Sequence, residues 1–346
     1  MGRGIEVLHL VHSLDPKTGG VLSAVERLNE SLNQAGAESR ISDDPQCRST
    51  NENQWIIAHG LWQWPGRRAR QLGNPYLVYP HGMLDPWFKK TYPFKHIKKQ
   101  LYWWTTQFKI LRGARAVCFT TIEEELLGKN TFFPNHFRAV VTGLGVGSPP
   151  GDEEDQIRKF LQRFPQARNR KILIYLGRFH PKKGVDDLLH SWKNRQAKDK
   201  ELLLLAGPLE EKSSWINYLQ SLSDGDGSIL WSGMLEGDEK WGALRTANAM
   251  ILPSHQENYG MVVAEACSVG LPVYLTDKVN LWREIVDAGA GEAQADGLSG
   301  VQTLVNSWQS MEGTGYRLAA LKCFEERMHV RCTSQNLLGL MGEKRL

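Results

Sequence analysis
AMILPSHQENYGMVVAEACSVGLPVYLT, residues 249–276, reads as a strand, a polar loop, a helix, a turn and a second strand. The apolar run AMIL stops at polar residues, Gly260 opens the helical run MVVAEAC, and GLP turns the chain into VYLT. Two short apolar strands separated by a helical stretch match the pattern of a parallel sheet covered by helices. The same alternation runs outward in both directions. KILIYLGR (171–178), ELLLLAGP (201–208) and SILWSG (228–233) precede it, each followed by a helical stretch. In the first half IEVLHLVH (5–12), QWIIAHG (54–60), YLVYPHG (76–82), AVCFTT (116–121) and AVVTG (139–143) read as strands, with helices over 20–36 and 95–112. This pattern predicts an α/β fold with parallel sheets covered by helices.

A chain of 346 residues suits roughly two domains at about 150 residues each. The densest Gly/Pro stretch, GLGVGSPPGDEED from Gly143 to Asp155, is the expected linker. Ala37 to Trp55 is polar and carries no expected element. No apolar run approaches the roughly 20 residues that span a bilayer, and the opening MGRGIEVLHLVHSL lacks a cleavage pattern, so a cytoplasmic location is expected. The five cysteines form no CxxC pair and no zinc spacing with histidine, which leaves them as reduced thiols.

Charge is unevenly distributed: residues 1–150 carry a net +6 and the remainder −2. Pro86 to Ile122 holds eight cations and no acid, interleaved with Trp87, Phe88, Tyr92, Phe94, Tyr102, Trp103 and Trp104. Such a segment suits either an anionic lipid surface or a solvated helix face with its aromatic side in the core. Nucleic acid is disfavoured, since no binding motif accompanies the basic residues.

In open parallel sheets ligands bind beyond the carboxyl ends of the strands. GRFHPKKG (177–184) places Arg178 and Lys183 at such a corner, where two cations suit a diphosphate. Gly260 lets the backbone approach a ligand as a helix begins, and the free N–H groups of that helix favour an anion. Glu265, inside an apolar run, needs a partner: a ribose diol, a pair of backbone N–H groups or a buried Arg would each serve. Glu257 precedes it in the loop, placed to accept from sugar hydroxyls. GLGVG is not GxGxxG, because Ser148 takes the last glycine's place, so a nicotinamide cofactor is not expected. DGDG (224–227) lacks the remaining residues of a calcium loop and sits among Gly and Ser like a surface turn.

GGVLSAVERL (19–28), GRFHPKKG, LLLAGP (203–208) and PSHQENYGMVVAEA followed by GLPV together resemble the retaining glycosyltransferases of family 4, which have the GT-B fold. The resemblance implies two doubly wound Rossmann-like domains facing a central cleft. Residues 1–148 would bind the acceptor, with 327–346 able to pack back on them, and 149–326 would bind a UDP- or GDP-sugar. It further implies that Glu265 holds the ribose, Glu257 the transferred sugar, and Arg178 with Lys183 the diphosphate. Gly19, Gly20, Tyr259 and Gly260 join the donor set, and His81 in YPHGMLDPW lies beside the donor sugar, the alternative being a capping or core-satisfying histidine. His59 is an acceptor-side or structural residue, and His180 and His255 position the donor loops. The implied activity is transfer, with retention and without metal or cofactor, to a cell-surface glycan or lipid-linked acceptor at the inner face of a membrane. An epimerase or hydrolase on the same fold, or a non-catalytic nucleotide-sugar-binding relative, are the alternatives. Two departures stand out: the Asn-Gly-Val linker motif appears as TGLGVG, and the polar stretch Ala37 to Trp55 makes the first domain look shortened.

Overall fold
A computed structural model describes residues 4–15, 20–196, 199–210, 213–311 and 315–343, except the side chains of Phe88 and Lys90. The chain divides into two compact units, Met1–Gly147 with Met328–Leu346, and Ser148–Arg327. Each is built on a six-stranded sheet whose paired strands all run parallel.

The first sheet comprises β1 (Glu6–Leu10), β2 (Glu38–Ser42), β3 (Trp55–His59), β4 (Tyr76–Tyr79), β5 (Ala116–Phe119) and β6 (Ala139–Val141), in the order β2-β1-β3-β4-β5-β6. β1, β3, β4 and β5 are buried almost throughout, which is why each reads as a near-continuous apolar run. β2, the sequence ESRIS, lies in the polar stretch where no element was expected. It is an edge strand with a largely exposed face, so it carries no apolar run to betray it. Val7, Ile57, Leu77 and Tyr79 on one face pack with Leu28 and Leu32 of the helix Gly20–Gln34 and with Leu337 and Met341 of the helix Val330–Gly342. The Ser31 and Ser334 hydroxyls meet at 2.9 Å between those two helices. Leu8, Leu10, Ile56, Ala58 and Val78 fill the other face with Trp103, Phe108, Ile110 and Leu111. The helix expected over 95–112 consists of Pro93–Tyr102, a π turn at Trp103–Gln107 and Phe108–Gly113.

The second sheet comprises β7 (Lys171–Leu176), β8 (Glu201–Ala206), β9 (Ile229–Gly233), β10 (Ala249–Leu252), β11 (Val273–Thr276) and β12 (Gly291–Gln294), in the order β12-β11-β10-β7-β8-β9. From β7 the chain builds outward through β8 to β9, then returns to add β10, β11 and β12 on the other side. The order therefore reverses between β7 and β10, and the reversal in the first sheet falls between β1 and β3. Loops leaving neighbouring strands at such a point diverge to opposite faces and leave a crevice. Arg178–Lys183 follows β7 and Ser254–Gly260 follows β10, so the sequence motifs of the second half stand at its switch point.

Candidate functional site
Two loops meet at that switch point and are fastened together. The His255 N–H donates to the Lys182 carbonyl (2.8 Å), Lys182 Nζ donates to Gln256 Oε1 (3.1 Å), and Lys183 Nζ forms an ion pair with Glu257 Oε2. Gly184 (φ +62°) makes the approach possible: a Cβ there would stand 2.1 Å from the Pro253 carbonyl oxygen. On its far side Glu257 is held by the loop after β11, its N–H donating to the Lys278 carbonyl (2.9 Å) and its carbonyl accepting from the Asn280 N–H (3.1 Å). A lysine and a glutamate 74 residues apart are thus brought to one point, both largely shielded from solvent. Such a pair offers a cation to a phosphate and an acceptor to a hydroxyl at adjoining positions.

Tyr175, at the end of β7, lies under this pair. Its hydroxyl donates to the Arg178 carbonyl (2.8 Å), and burial, with the Glu257 charge adding to it, pushes the phenol well above its usual range. Arg178 itself is exposed, and among the described residues no carboxylate forms an ion pair with it. The His180 ring accepts from the Lys182 N–H (3.1 Å) and caps the short helical turn Pro181–Lys183. His255 Nδ1 meets Asp296 Oδ1 at 2.7 Å.

Gly260 (φ +70°) forms the N-terminal boundary of the helix Met261–Ser268, in a conformation that a side chain would strain. Val263 to Ser268 are all buried, Glu265 among them at 6% exposure. One partner of Glu265 is Lys240 of the helix Gly237–Thr246, whose Nζ lies 3.0 Å from Oε1. Nothing local in GDEKWG signals Lys240, since it reaches Glu265 from another helix. Tyr259 is buried at 4% exposure beside this set.

The remaining predicted residues belong to the first unit. Gly20 begins the helix Gly20–Gln34, and Gly19 lies outside the described residues. His81 follows β4 with φ +50°, a left-handed conformation uncommon for a side-chain-bearing residue and concentrated at functional turns. The buried Glu124 carboxylate holds this turn, accepting from the Gly82 N–H (2.5 Å), the Thr120 N–H (2.7 Å) and the Thr120 hydroxyl (2.6 Å). Glu124 sits in the acid run of TTIEEE, which reads as ordinary helix-start chemistry and hides its role. His59 ends β3, with its Nδ1 2.9 Å from His81 Nε2. A cavity of about 290 Å³ opens at this sheet's switch point, lined by Val11, His12 and Ser13 after β1 and by His59, Gly60 and Gln63 after β3.

Among the described residues no group of three or more His, Cys, Asp or Glu is arranged to hold a metal ion. Asp226 of DGDG turns inward, accepting from the Ser228 N–H (2.9 Å) and hydroxyl (2.6 Å). The cysteines are free thiols, and burial pushes Cys118 up to about 12.

Two doubly wound parallel sheets define a two-domain α/β protein of the GT-B type, with a cation and carboxylate site at the second sheet's switch point. Residues 156–310, which contain that site, match the family of Glycosyl transferases group 1. The chain is 27% identical over 206 residues to D-inositol 3-phosphate glycosyltransferase of Frankia alni, covering 56% of this chain and 47% of the relative. It is 31% identical over 210 residues to sulfoquinovosyl transferase of Arabidopsis thaliana, covering 59% of this chain and 38% of the relative. The chain thus spans about half the length, or less, of these curated relatives. Among solved structures, the Anabaena protein HepE in complex with UDP and glucose superposes with a TM-score of 0.69 at 14% identity, over 97% of this chain and 98% of that one. That likeness establishes the fold.

Proposed function
We propose that this protein is a glycosyltransferase that moves a sugar from a UDP- or GDP-sugar to a glycan or lipid-linked acceptor, with retention at the anomeric carbon. The observation that carries this reading is the Lys183–Glu257 pair, fastened at the switch point of a sheet that matches Glycosyl transferases group 1. Arg178, Lys183 and the helix start at Gly260 receive the diphosphate, Glu265 the ribose, and Glu257 the transferred sugar, with Tyr259 packing beneath. On reaction the bond from the anomeric carbon to the diphosphate oxygen breaks, and the acceptor hydroxyl bonds to that carbon on the same face. The hydroxyl's proton passes to the departing diphosphate. Negative charge grows on the leaving oxygen, and preorganised cations are most effective there. These cations supply the charge that a divalent metal would otherwise bring, so the reaction proceeds without one. The 290 Å³ cavity beside His59 suits part of the acceptor.

Labelled nucleotide sugars, offered with and without lipid-linked acceptors, test the reading. Transfer with retained anomeric configuration that survives EDTA supports it. Donor consumption without transfer favours a hydrolase or epimerase, and loss of activity in EDTA with recovery on Mn²⁺ removes the metal-independent step.

A surface of the first unit supports a lipid-linked acceptor. The helix Pro93–Tyr102 buries none of its residues, so its apolar side is not in the core. Phe94 is 82% exposed, and Ile97, Leu101, Trp104 and Phe133 are also exposed, beside the exposed Lys89, Lys95 and Lys98. Apolar side chains rimmed by lysine fit the interface of an anionic bilayer. No helix among the described residues is long and apolar enough to cross a membrane.

A further inference from the structure
Four side chains from four neighbouring strands form one hydrogen-bonded row. Ser39 lies on β2, His9 on β1, His59 at the end of β3, and His81 just beyond β4. His9 Nε2 is 3.1 Å from Ser39 Oγ, His9 Nδ1 is 2.9 Å from His59 Nε2, and His59 Nδ1 is 2.9 Å from His81 Nε2. Consecutive rings stack with centroids 5.2 Å apart. Tyr79 stacks on both His59 and His81, and its hydroxyl is tied to Thr142 Oγ1 at 2.7 Å. His9 and His59 are buried, so unpaired nitrogens would be costly, and each of their four ring nitrogens has a partner in the row.

The row has a direction. A neutral imidazole has one N–H donor and one bare acceptor, so fixing one end fixes every tautomer. The Ser39 hydroxyl donates to Asn29 Oδ1 (2.8 Å), and Asn29 lies in the helix Gly20–Gln34. With its only proton committed there, Ser39 Oγ accepts from His9 Nε2–H. His9 Nδ1 is then bare and accepts from His59 Nε2–H, and His59 Nδ1 in turn accepts from His81 Nε2–H. Burial also keeps the row uncharged, pushing His9 down to about 3 and His81 down to about 4.

We infer that Ser39, His9 and His59 are positioning residues that lock His81 in the Nε2–H tautomer and leave its Nδ1 as a fixed hydrogen-bond acceptor. The left-handed turn at His81, held by Glu124, fixes the ring's position, and the row fixes its proton. A bare, oriented nitrogen accepts from a substrate hydroxyl and disfavours a group that presents only lone pairs. Its use on a sugar hydroxyl rests on the transferase reading; the tautomer does not.

The test is long-range ¹H–¹⁵N NMR on the full chain labelled with ¹⁵N-histidine at pH 7, with His9, His59 and His81 assigned through single substitutions. The expected result is Nε2–H with bare Nδ1 at all three. Ser39→Ala removes the terminal acceptor and should bring a second tautomer into the His81 signal. Ser39→Thr, which keeps the hydroxyl, should restore the single form, and Asn29→Asp, which keeps an acceptor, should leave it intact. An Nδ1–H tautomer or a doubly protonated ring at His81 in the wild type would overturn the inference. So would unchanged tautomers in folded Ser39→Ala. No nucleotide enters the measurement, so failure of sugar transfer leaves its result standing.

Discussion

Acidification from pH 7 to pH 5 should destabilise the first unit by about 3–4 kcal/mol through His9 and His81 alone, before any contribution from His59. An unfolded histidine takes up a proton near pH 6.5, whereas His9 and His81 resist it down to about 3 and about 4 because burial disfavours the charged ring. The unfolded state therefore binds more protons than the folded one between these limits, and stability falls as the pH falls. Each group held neutral loses about 1.4 kcal/mol per pH unit below 6.5, or about 2 kcal/mol at pH 5. His9 contributes that in full, and the half-buried His81 somewhat less. His59, shifted in the same direction by burial and by its histidine neighbours, adds to the loss. Asp155 and Asp238 are held below the ordinary carboxylate value by hydrogen bonds from Lys159, so they titrate below this window. Asp187 of the second unit, pushed up by burial and by Asp186, acts in the opposite sense. Urea unfolding followed by tryptophan fluorescence at pH 7, 6 and 5 gives the slope directly, and His81→Gln should flatten it by up to about 1.4 kcal/mol per pH unit. Stability that holds constant or rises toward pH 5 in the first unit's transition would refute the neutral buried row.

Lys183→Ala should lower turnover by about 10²–10³ while weakening donor binding less, because charge on the leaving oxygen is greatest in the transition state; steady-state kinetics with calorimetry on the folded variant separates the two effects. Sedimentation with anionic vesicles should carry the protein down at low salt, and replacing Phe94 and Ile97 with Ser should abolish this; equal sedimentation with neutral vesicles would reject the lysine contribution. Gly184→Ala should lower the melting temperature of the second unit, since it adds a Cβ against the Pro253 carbonyl in a left-handed conformation that costs about 1–2 kcal/mol by itself.

The parallel α/β class was legible because strands buried on both faces must be apolar, as β1, β3, β4, β5, β7, β8, β10 and β11 are, and the edge strands β6 and β9 also carry short apolar runs. The two missed, β2 (ESRIS) and β12 (GEAQ), are both at sheet edges, where half-exposed positions accept polar residues. The candidate site was legible as residue types at strand ends but not as contacts. Lys183 and Glu257 come together only because β7 and β10 are neighbours across the switch point, and strand order is not written in local periodicity. Lys240 was invisible for the same reason. His9 reads as an irregularity within an apolar strand, and only the register beside β2 and β3 shows that it links Ser39 to His59. Glu124 looks like one of three acids at a helix start until the turn at Gly82 is placed beside it.

The central claim is that the switch point of the second sheet holds a nucleoside diphosphate, with Glu265 on the ribose. Isothermal calorimetry of the purified chain with UDP and with GDP, repeated on Glu265→Gln, tests it most directly. The Gln variant keeps the side chain's shape beside Lys240 and can still accept from a hydroxyl, but it removes the charge that makes such a bond about 1–1.5 kcal/mol stronger than a neutral one. One of the two nucleotides should bind with 1:1 stoichiometry, and Glu265→Gln should weaken it about 5- to 15-fold. Binding of neither nucleotide to the folded wild-type chain, or equal affinity in the variant, would contradict the account.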